Sequence, residues 1–295
     1  MSRRWPAAER IVAAFNVALA ATWLAADTAV PVAPVLIALH GVAALLPALT
    51  DRAFSRGGHA PPVLRDLYPF FFVPAFWAEI GLLHAAMPAP RYDALAAALD
   101  RAVFGLHLNA IWAPAMPRLS EAMQVLYAGY YLAAFAPVLL LAALRRREAL
   151  RDVVLALTAT YVACYLVYLV LPVGGPLHTQ PRFTDGVGDG FFFRLNDALH
   201  AFGDSEGTAF PSSHVAGAMA MALVAARRFP RALAWLVAAE AVGVCLSTVY
   251  TQNHYAIDVL AGLGVALGVH LALVAERRRL PTVAWSLRTE PFSGG

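Results

Sequence analysis

The sequence predicts an all-α protein that crosses a membrane several times. Hydrophobic residues make up 60% of the chain and charged residues 14%, whereas soluble domains average roughly 45–50% and about 25%. The apolar residues form long blocks along the whole chain, and about 20 such residues make a helix that crosses a bilayer. The expected fold class is therefore a polytopic membrane helical bundle that forms one membrane domain.

Eight apolar blocks are long enough to span. A segment at 91–113 is interrupted by Asp100, Arg101, His107 and Asn109, so we expect it to be interfacial or re-entrant. We divide the chain into a two-helix N-terminal extension (1–60), a six-helix core (61–280) that carries the candidate catalytic residues, and a tail (281–295). The predicted spans are 10–26, 29–50, 67–88, 119–144, 149–171, 211–226, 231–250 and 254–276.

The distribution of positive charge predicts the orientation. All 22 basic residues are arginine, and cytoplasmic loops of membrane proteins collect such charge. In the eight-span scheme 17 of the 22 fall on one side, so both termini and the tail are expected in the cytoplasm. Orientation also explains the pI near 9.0, and we expect no nucleic-acid partner. The arginines on the opposite side are Arg91, Arg101, Arg118, Arg182 and Arg194.

The beginning of the chain allows two interpretations. A charged start, an apolar stretch and the small residues at 24–29 are compatible with a cleaved signal peptide. We expect a retained helix instead, because further spans follow at once and a first span can itself direct insertion. Either outcome leaves the remaining topology unchanged.

The longest polar connection, 172–210, is rich in glycine and proline and falls on the extracytoplasmic side of this scheme. Loops of this length inside a compact domain are usually functional or disordered. Three consecutive phenylalanines at 191–193 predict that part of the connection lies in the membrane interface as a short amphipathic helix.

A first candidate motif, Phe-Pro-Ser-Ser-His at 210–214, opens the sixth predicted span. Proline suits the first turn of a helix, serine caps its free N–H groups, and such a helix start attracts anions. Ser212 and Ser213 are therefore candidate phosphate ligands beside His214. Taken alone, the segment is more often an ordinary capped helix start.

A second candidate motif lies between the seventh and eighth predicted spans. His254 and Asp258 are four residues apart, which places them on one helix face with about 5–6 Å between Cβ atoms. The aspartate can accept the proton of one ring nitrogen and leave the other as a nucleophile or base. Such a pair is often only a local ion pair, but ionisable groups at the edge of a span are costly and tend to be functional.

The predicted topology places His214 and His254 at the same membrane level on the same side. We therefore expect the two histidines to converge on one ligand. With Asp258 they provide the parts for a displacement at phosphorus, namely a nucleophile, its orienting carboxylate and a proton donor for the departing alcohol.

These motifs resemble those of the type 2 phosphatidic acid phosphatase superfamily, which are Pro-Ser-x-His and then Ser-Arg, five residues, His, three residues and Asp. The matching residues are Pro211, Ser212, His214, Ser247, His254 and Asp258. The segment 99–105 also looks like the pre-core segment of the inositol-phosphotransferase-like branch. The resemblance implies that His254 forms a phosphohistidine, that Asp258 orients it and that His214 is the general acid.

Two departures concern the phosphate-binding cations of the superfamily. Thr248 stands where its phosphatases have arginine, and their first motif, which begins with lysine, cannot occur in a chain without lysine. A similar loss occurs in the sphingolipid-synthase side of the superfamily, including inositol phosphorylceramide synthase, where Ser-Thr precedes a His-Tyr-x-x-Asp helix as it does here. His178 and Arg182 are the candidates for the missing positive charge, and Asn253 is a further phosphate-binding candidate.

The resemblance implies transfer of a phosphate or phospho-alcohol group from a phospholipid or lipid phosphate to a polyol or lipid alcohol. We expect no metal and no organic cofactor. Cys164 and Cys245 have no partner at metal-ligand spacing. Hydrolysis of a lipid phosphate or polyprenyl diphosphate is the alternative within enzymes, and a non-catalytic lipid transporter or scaffold is the alternative outside them. The expected location is a bacterial inner membrane, with the active site at its extracytoplasmic face.

Several other polar residues fall within the apolar blocks. We expect Glu79, Glu240, His40, His84 and His270 to make satisfied interhelical contacts. Tyrosines follow helical spacing on the fourth and fifth spans, which indicates helix packing or an interfacial belt. These are Tyr127, Tyr130, Tyr131, Tyr161, Tyr165 and Tyr168.

Overall fold

The structure is a computed structural model that describes residues 6–26, 30–55, 62–87, 91–185, 187–203 and 205–279. Within these ranges the chain is helical, and the only β-type pairing is an isolated bridge between Val173 and Thr208. The predicted all-α class is confirmed. The tail and residues 27–29 of the possible cleavage segment at 24–29 lie outside the described residues.

Thirteen α-helices cover the described part of the chain. They are α1 (Ala7–Ala25), α2 (Ala33–Ala44), α3 (Leu46–Ser55), α4 (Pro62–Ala86), α5 (Asp93–Phe104), α6 (Leu108–Ala115), α7 (Ser120–Ala143), α8 (Arg147–Val170), α9 (Pro176–Thr179), α10 (Phe191–Gly203), α11 (Ser213–Arg228), α12 (Arg231–Tyr250) and α13 (Ala256–Arg279). The expected amphipathic helix in the long connection is α10.

Seven helical stretches in the described ranges are long and apolar enough to cross a membrane. They are α1, α2 with the start of α3, α4, α7, α8, α12 and α13. This makes the chain an integral membrane protein. The predicted sixth span corresponds to α11, which has only 16 residues and, at about 1.5 Å per residue, is shorter than the roughly 30 Å hydrocarbon core. Of the eight predicted spans, the one at 211–226 is therefore not among the helices long enough to cross the membrane.

The polar segment at 91–113 forms the helix pair α5 and α6, which is bent by 69°. The bend is at Gly105, whose φ of 77° ends α5 in the left-handed region that glycine adopts readily. This geometry agrees with the expected re-entrant or interfacial segment. Counted as one broken span, the pair would bring the number of spans to eight.

The core is built around α8, which packs against α1, α4, α7, α11 and α13. The apolar side chains that face these neighbours make α8 the centre of the bundle. The N-terminal extension joins the same core, since the Phe15 and Phe76 ring centroids are 4.8 Å apart. The fully buried residues of α8 include Leu150, Val153, Leu157, Cys164 and Tyr168.

A polar network confirms part of the expected interhelical contacts. His40 Nε2 lies 2.5 Å from Glu79 Oε1, His40 Nδ1 lies 2.8 Å from Asn16 Oδ1, and Trp23 Nε1 donates to Glu79 Oε1 at 2.7 Å. The network joins α1, α2 and α4. In contrast, Glu240 Oε1 has no hydrogen-bond partner among the described residues.

Candidate active site

His214 and His254 face one cavity of about 310 Å³. Their ring centroids are 5.9 Å apart and the ring planes meet at 60°. One histidine is on α11 and the other precedes α13, so the expected convergence of two helix starts is present. This separation brings both rings within reach of one phosphate group.

Hydrogen bonds at the start of α11 determine the position of His214. Ser212 is the N-cap, and its hydroxyl accepts the Val215 N–H at 3.4 Å, as the sequence predicted for this serine. The Ser212 N–H donates to the Asp258 carbonyl at 3.0 Å, while the Tyr168 hydroxyl donates to the Pro211 carbonyl at 2.7 Å. The start of α11 is thereby joined directly to the first turn of α13.

The turn between α12 and α13 positions His254. The N–H groups of Asn253 and His254 both donate to the Thr248 carbonyl at 3.1 Å. Gln252 adopts a positive φ of 60°, and its side-chain oxygen accepts the Phe183 N–H at 2.8 Å. The turn therefore also holds part of the long connection beside the cavity.

Asp258 lies behind His254 and is fully buried. Its Oδ2 accepts the Tyr255 N–H at 2.9 Å and lies 3.4 Å from His254 Nδ1. The second distance exceeds that of a good hydrogen bond, and such catalytic contacts often tighten only in the substrate complex. Nδ1 is therefore the ring nitrogen nearest the carboxylate.

Three tyrosines of α7 surround the His214 ring. The ring centroids of Tyr127, Tyr130 and Tyr131 lie 5.3, 4.4 and 5.9 Å from it. Tyr127 is stacked on the imidazole with an interplanar angle of 28°. The spacing of these tyrosines at i, i+3 and i+4 indicated helix packing, and the structure shows that the packing partner is His214.

The predicted phosphate-binding residues divide into two groups. His178, Ser213 and Asn253 line the cavity. Ser212 instead caps α11 and is fully buried, and Arg182 does not line the cavity. The Arg182 guanidinium hydrogen-bonds Asp197 of α10 and lies 4.8 Å from the centroid of the Phe193 ring. Asp197, 15 residues further along the chain, thus pairs with Arg182, the cation that was expected to bind phosphate.

Thr248, which stands at the position of the superfamily arginine, contributes to the site through its backbone carbonyl. Its hydroxyl donates to the Val244 carbonyl at 2.8 Å, and its side chain is fully buried. Its carbonyl accepts the N–H groups of the His254 turn. This position therefore shapes the turn without adding charge to the cavity.

Sequence analysis missed His200 and Trp77, which also line the cavity. His200 Nε2 lies 3.0 Å from the Tyr127 hydroxyl, and Trp77 Nε1 donates to the Thr208 hydroxyl at 3.1 Å. His200 is on α10 and Trp77 is inside the spanning helix α4. Neither lies in a motif, so their helical positions were the only signal available.

A second carboxylate supports the start of α13. Asp100 of α5 accepts the Ile257 N–H at 3.0 Å, and its other oxygen lies 2.8 Å from His107 Nδ1. The Arg101 guanidinium contacts His107 Nε2 at 2.9 Å. Arginine can only donate, so this nitrogen accepts and Nδ1 donates to Asp100. The bent helix pair is thereby joined to the helix that carries Asp258.

We expect Asp100→Ala to lower the free energy of unfolding by about 1–3 kcal/mol, because the buried Ile257 N–H and His107 lose their acceptor. Asp100→Asn keeps one oxygen for the Ile257 N–H and should cost less. The measurement is thermal unfolding of the purified variants in one detergent. Asp189→Ala, which alters an exposed carboxylate of the long connection, is the matched control. An equal effect at both positions would contradict the capping role.

Potential metal ligands do not form a cluster in the described part of the chain, where no group of three or more His, Cys, Asp or Glu side chains could hold a metal ion. Cys164 and Cys245 are both free thiols.

A membrane helical bundle with a histidine pair and a supporting aspartate at one cavity defines a class of phosphoester enzymes. The chain matches the sequence profile of the PAP2 superfamily over residues 97–272, more than half of its length, and it belongs to this family. The match begins inside α5 and includes α6 and both histidine motifs. No curated protein and no solved structure matches the chain. The chain is thus a phosphoester enzyme of the type 2 phosphatidic acid phosphatase superfamily.

Proposed function

We propose that the protein transfers a phosphate or phospho-alcohol group from a membrane lipid to an alcohol acceptor through a phosphohistidine on His254. The observation that carries the proposal is the convergence of His254 and His214, with ring centroids 5.9 Å apart, on a single cavity. Asp258 lies on the far side of the His254 ring, where it orients the nucleophile.

In the first step, His254 Nε2 attacks the phosphorus of the bound lipid. The bond between phosphorus and the leaving oxygen breaks, and protonated His214 gives its proton to that oxygen. Asp258 stabilises the positive ring of His254 during the attack. In the second step, neutral His214 takes the proton of the acceptor hydroxyl, whose oxygen attacks the phosphohistidine and releases His254.

Phosphate binding is assigned to neutral donors and to His178. Ser213, Asn253 and His178 line the cavity, and the N–H groups at the start of α11 provide the favourable end of a helix dipole. Asn253 donates from Nδ2 to the Thr251 hydroxyl at 2.7 Å, which holds its amide beside the cavity. Arg182 is left out of this set because it is engaged by Asp197.

Transfer is preferred to hydrolysis because of the composition of the cavity wall. Trp77, Tyr127, Leu177 and Leu199 line the cavity, and an apolar, aromatic part of its wall favours an organic acceptor over water. The resemblance of segment 99–105 to the inositol-phosphotransferase-like branch supports a polyol acceptor. The arginine distribution supports an active site at the extracytoplasmic face with both termini in the cytoplasm.

The test is turnover of a panel of phospholipids and lipid phosphates by purified protein, with and without inositol as acceptor. We expect a new phospholipid that requires the acceptor, and little free phosphate. Release of phosphate at the same rate with and without acceptor would identify a phosphatase. If no substrate is converted and His254→Ala is indistinguishable from the wild type, a transporter or scaffold is the better explanation.

A further inference from the structure

A second cleft lies at the opposite ends of the two helices that lead from the active site. Helix α11 begins beside His214 and ends at Arg228, while α13 begins beside His254 and ends at Arg279. Their distal ends and α8 form a cleft that encloses about 30 Å³, the space of about one water molecule. The cleft extends from Ala220, in the middle of α11, to the distal end of the helix, so its arginines lie at the opposite end of α11 from His214.

Positive charge dominates the mouth of this cleft. Arg227, Arg228 and Arg277 line it, together with one carboxylate, Asp152. Arg228 Nε donates to Asp152 Oδ2 at 2.6 Å, and Arg277 hydrogen-bonds the other carboxylate oxygen. Asp152 is only 11% exposed, so it fixes two guanidinium groups in place. Three arginines against one aspartate leave an excess of positive charge.

The inner wall of the cleft combines apolar side chains with one hydroxyl. Ala156, Val224 and Leu273 line it alongside Thr160. Thr160 is fully buried, and its Oγ1 has no hydrogen-bond partner in the ranges that the structure describes. A buried hydroxyl without a partner costs free energy, which a ligand oxygen in the cleft would recover.

We propose that this cleft binds the phosphate group of an anionic phospholipid, at a site distinct from the catalytic cavity. Guanidinium groups bind phosphate oxygens by paired, charge-assisted hydrogen bonds, and basic pockets between membrane helices bind lipid headgroups. The enclosed space accepts a phosphate oxygen near Thr160, while the glycerol and acyl chains remain outside against the exposed apolar side chains of α13, such as Leu267 and Leu271. These side chains favour a lipid over a soluble anion.

The test is binding to the purified full-length protein in detergent, measured by native mass spectrometry and by thermal unfolding. Three probes are compared: dioleoylphosphatidylglycerol, dioleoylphosphatidylcholine and inorganic phosphate. We expect saturable binding of phosphatidylglycerol that is at least about fivefold tighter than binding of phosphatidylcholine. Both lipids carry a phosphate, but the cationic choline of phosphatidylcholine is repelled by the arginines, and one unit of charge near the site contributes on the order of 1 kcal/mol. Because binding is measured without turnover, the result does not depend on the proposed transfer reaction.

Three variants test whether the lipid binds in the cleft. Arg227→Gln should weaken phosphatidylglycerol binding about fivefold, whereas Arg231→Gln, which removes an exposed arginine at the start of α12, should leave it unchanged. Thr160→Val keeps the side-chain volume, removes only the hydroxyl and should also weaken binding. Equal loss in both arginine variants would mean diffuse surface charge and would overturn the proposal. So would equal binding of the two lipids, or binding of inorganic phosphate as tight as that of phosphatidylglycerol.

Discussion

Replacement of His254 by alanine is expected to abolish turnover, with a loss of at least about 10⁴-fold, while the protein remains folded. The imidazole is the proposed nucleophile, and without it the covalent intermediate cannot form. Its loss removes the 3.4 Å approach to Asp258 and the edge contact with His214, while Asp258 keeps its hydrogen bond from the Tyr255 N–H. The N–H group that anchors the turn to Thr248 is retained in the variant.

The measurement combines initial rates with trapping of the intermediate. Wild-type protein mixed with a lipid that is radiolabelled at phosphorus should carry an acid-labile label, and His254→Ala should carry none. His254→Gly supplemented with free imidazole provides a control for the chemistry, since a small nucleophile can occupy the vacated space and restore part of the rate. A loss below tenfold in His254→Ala, with label still attached, would exclude this residue as the nucleophile.

His214→Gln is expected to lower kcat by about 10²–10⁴-fold for substrates with an alkyl leaving group, the usual contribution of a general acid. Glutamine retains a planar side chain to pack against Tyr127 and Tyr130, but it cannot deliver a proton to the departing oxygen. A nitrophenyl ester has a leaving group that departs without protonation. For this substrate the first step should therefore slow by less than about tenfold.

Rapid mixing separates the two proposed roles of His214. With the nitrophenyl ester, the variant should release a burst of nitrophenolate and then stall as phosphoenzyme, because no base remains to activate the acceptor. The wild type should show steady turnover with the same ester. Equal slowing of the alkyl and nitrophenyl substrates would show that His214 does not act as the acid.

Local sequence was sufficient to predict the parts of the site that arise from one helix turn. The i,i+4 spacing placed His254 and Asp258 on one face, and Ser212 caps α11 as serine does at a helix start. The apolar blocks predicted the helical membrane class for the same reason, since about 20 apolar residues are a local property. The length of α11 was harder to predict from the sequence. A helix that is buried among other helices does not need an apolar run as long as the bilayer is thick.

Only the tertiary structure decided which residues surround His214, His254 and Asp258. The pairing of Arg182 with Asp197, the stacking of Tyr127 on His214 and the capping of α13 by Asp100 join residues that are distant in sequence. Each depends on which charged or aromatic side chain of another helix lies within contact distance, and no local pattern encodes that choice. The sequence by itself therefore determined the fold class and the candidate nucleophile, acid and orienting carboxylate, while packing between helices determined the cavity in which they meet.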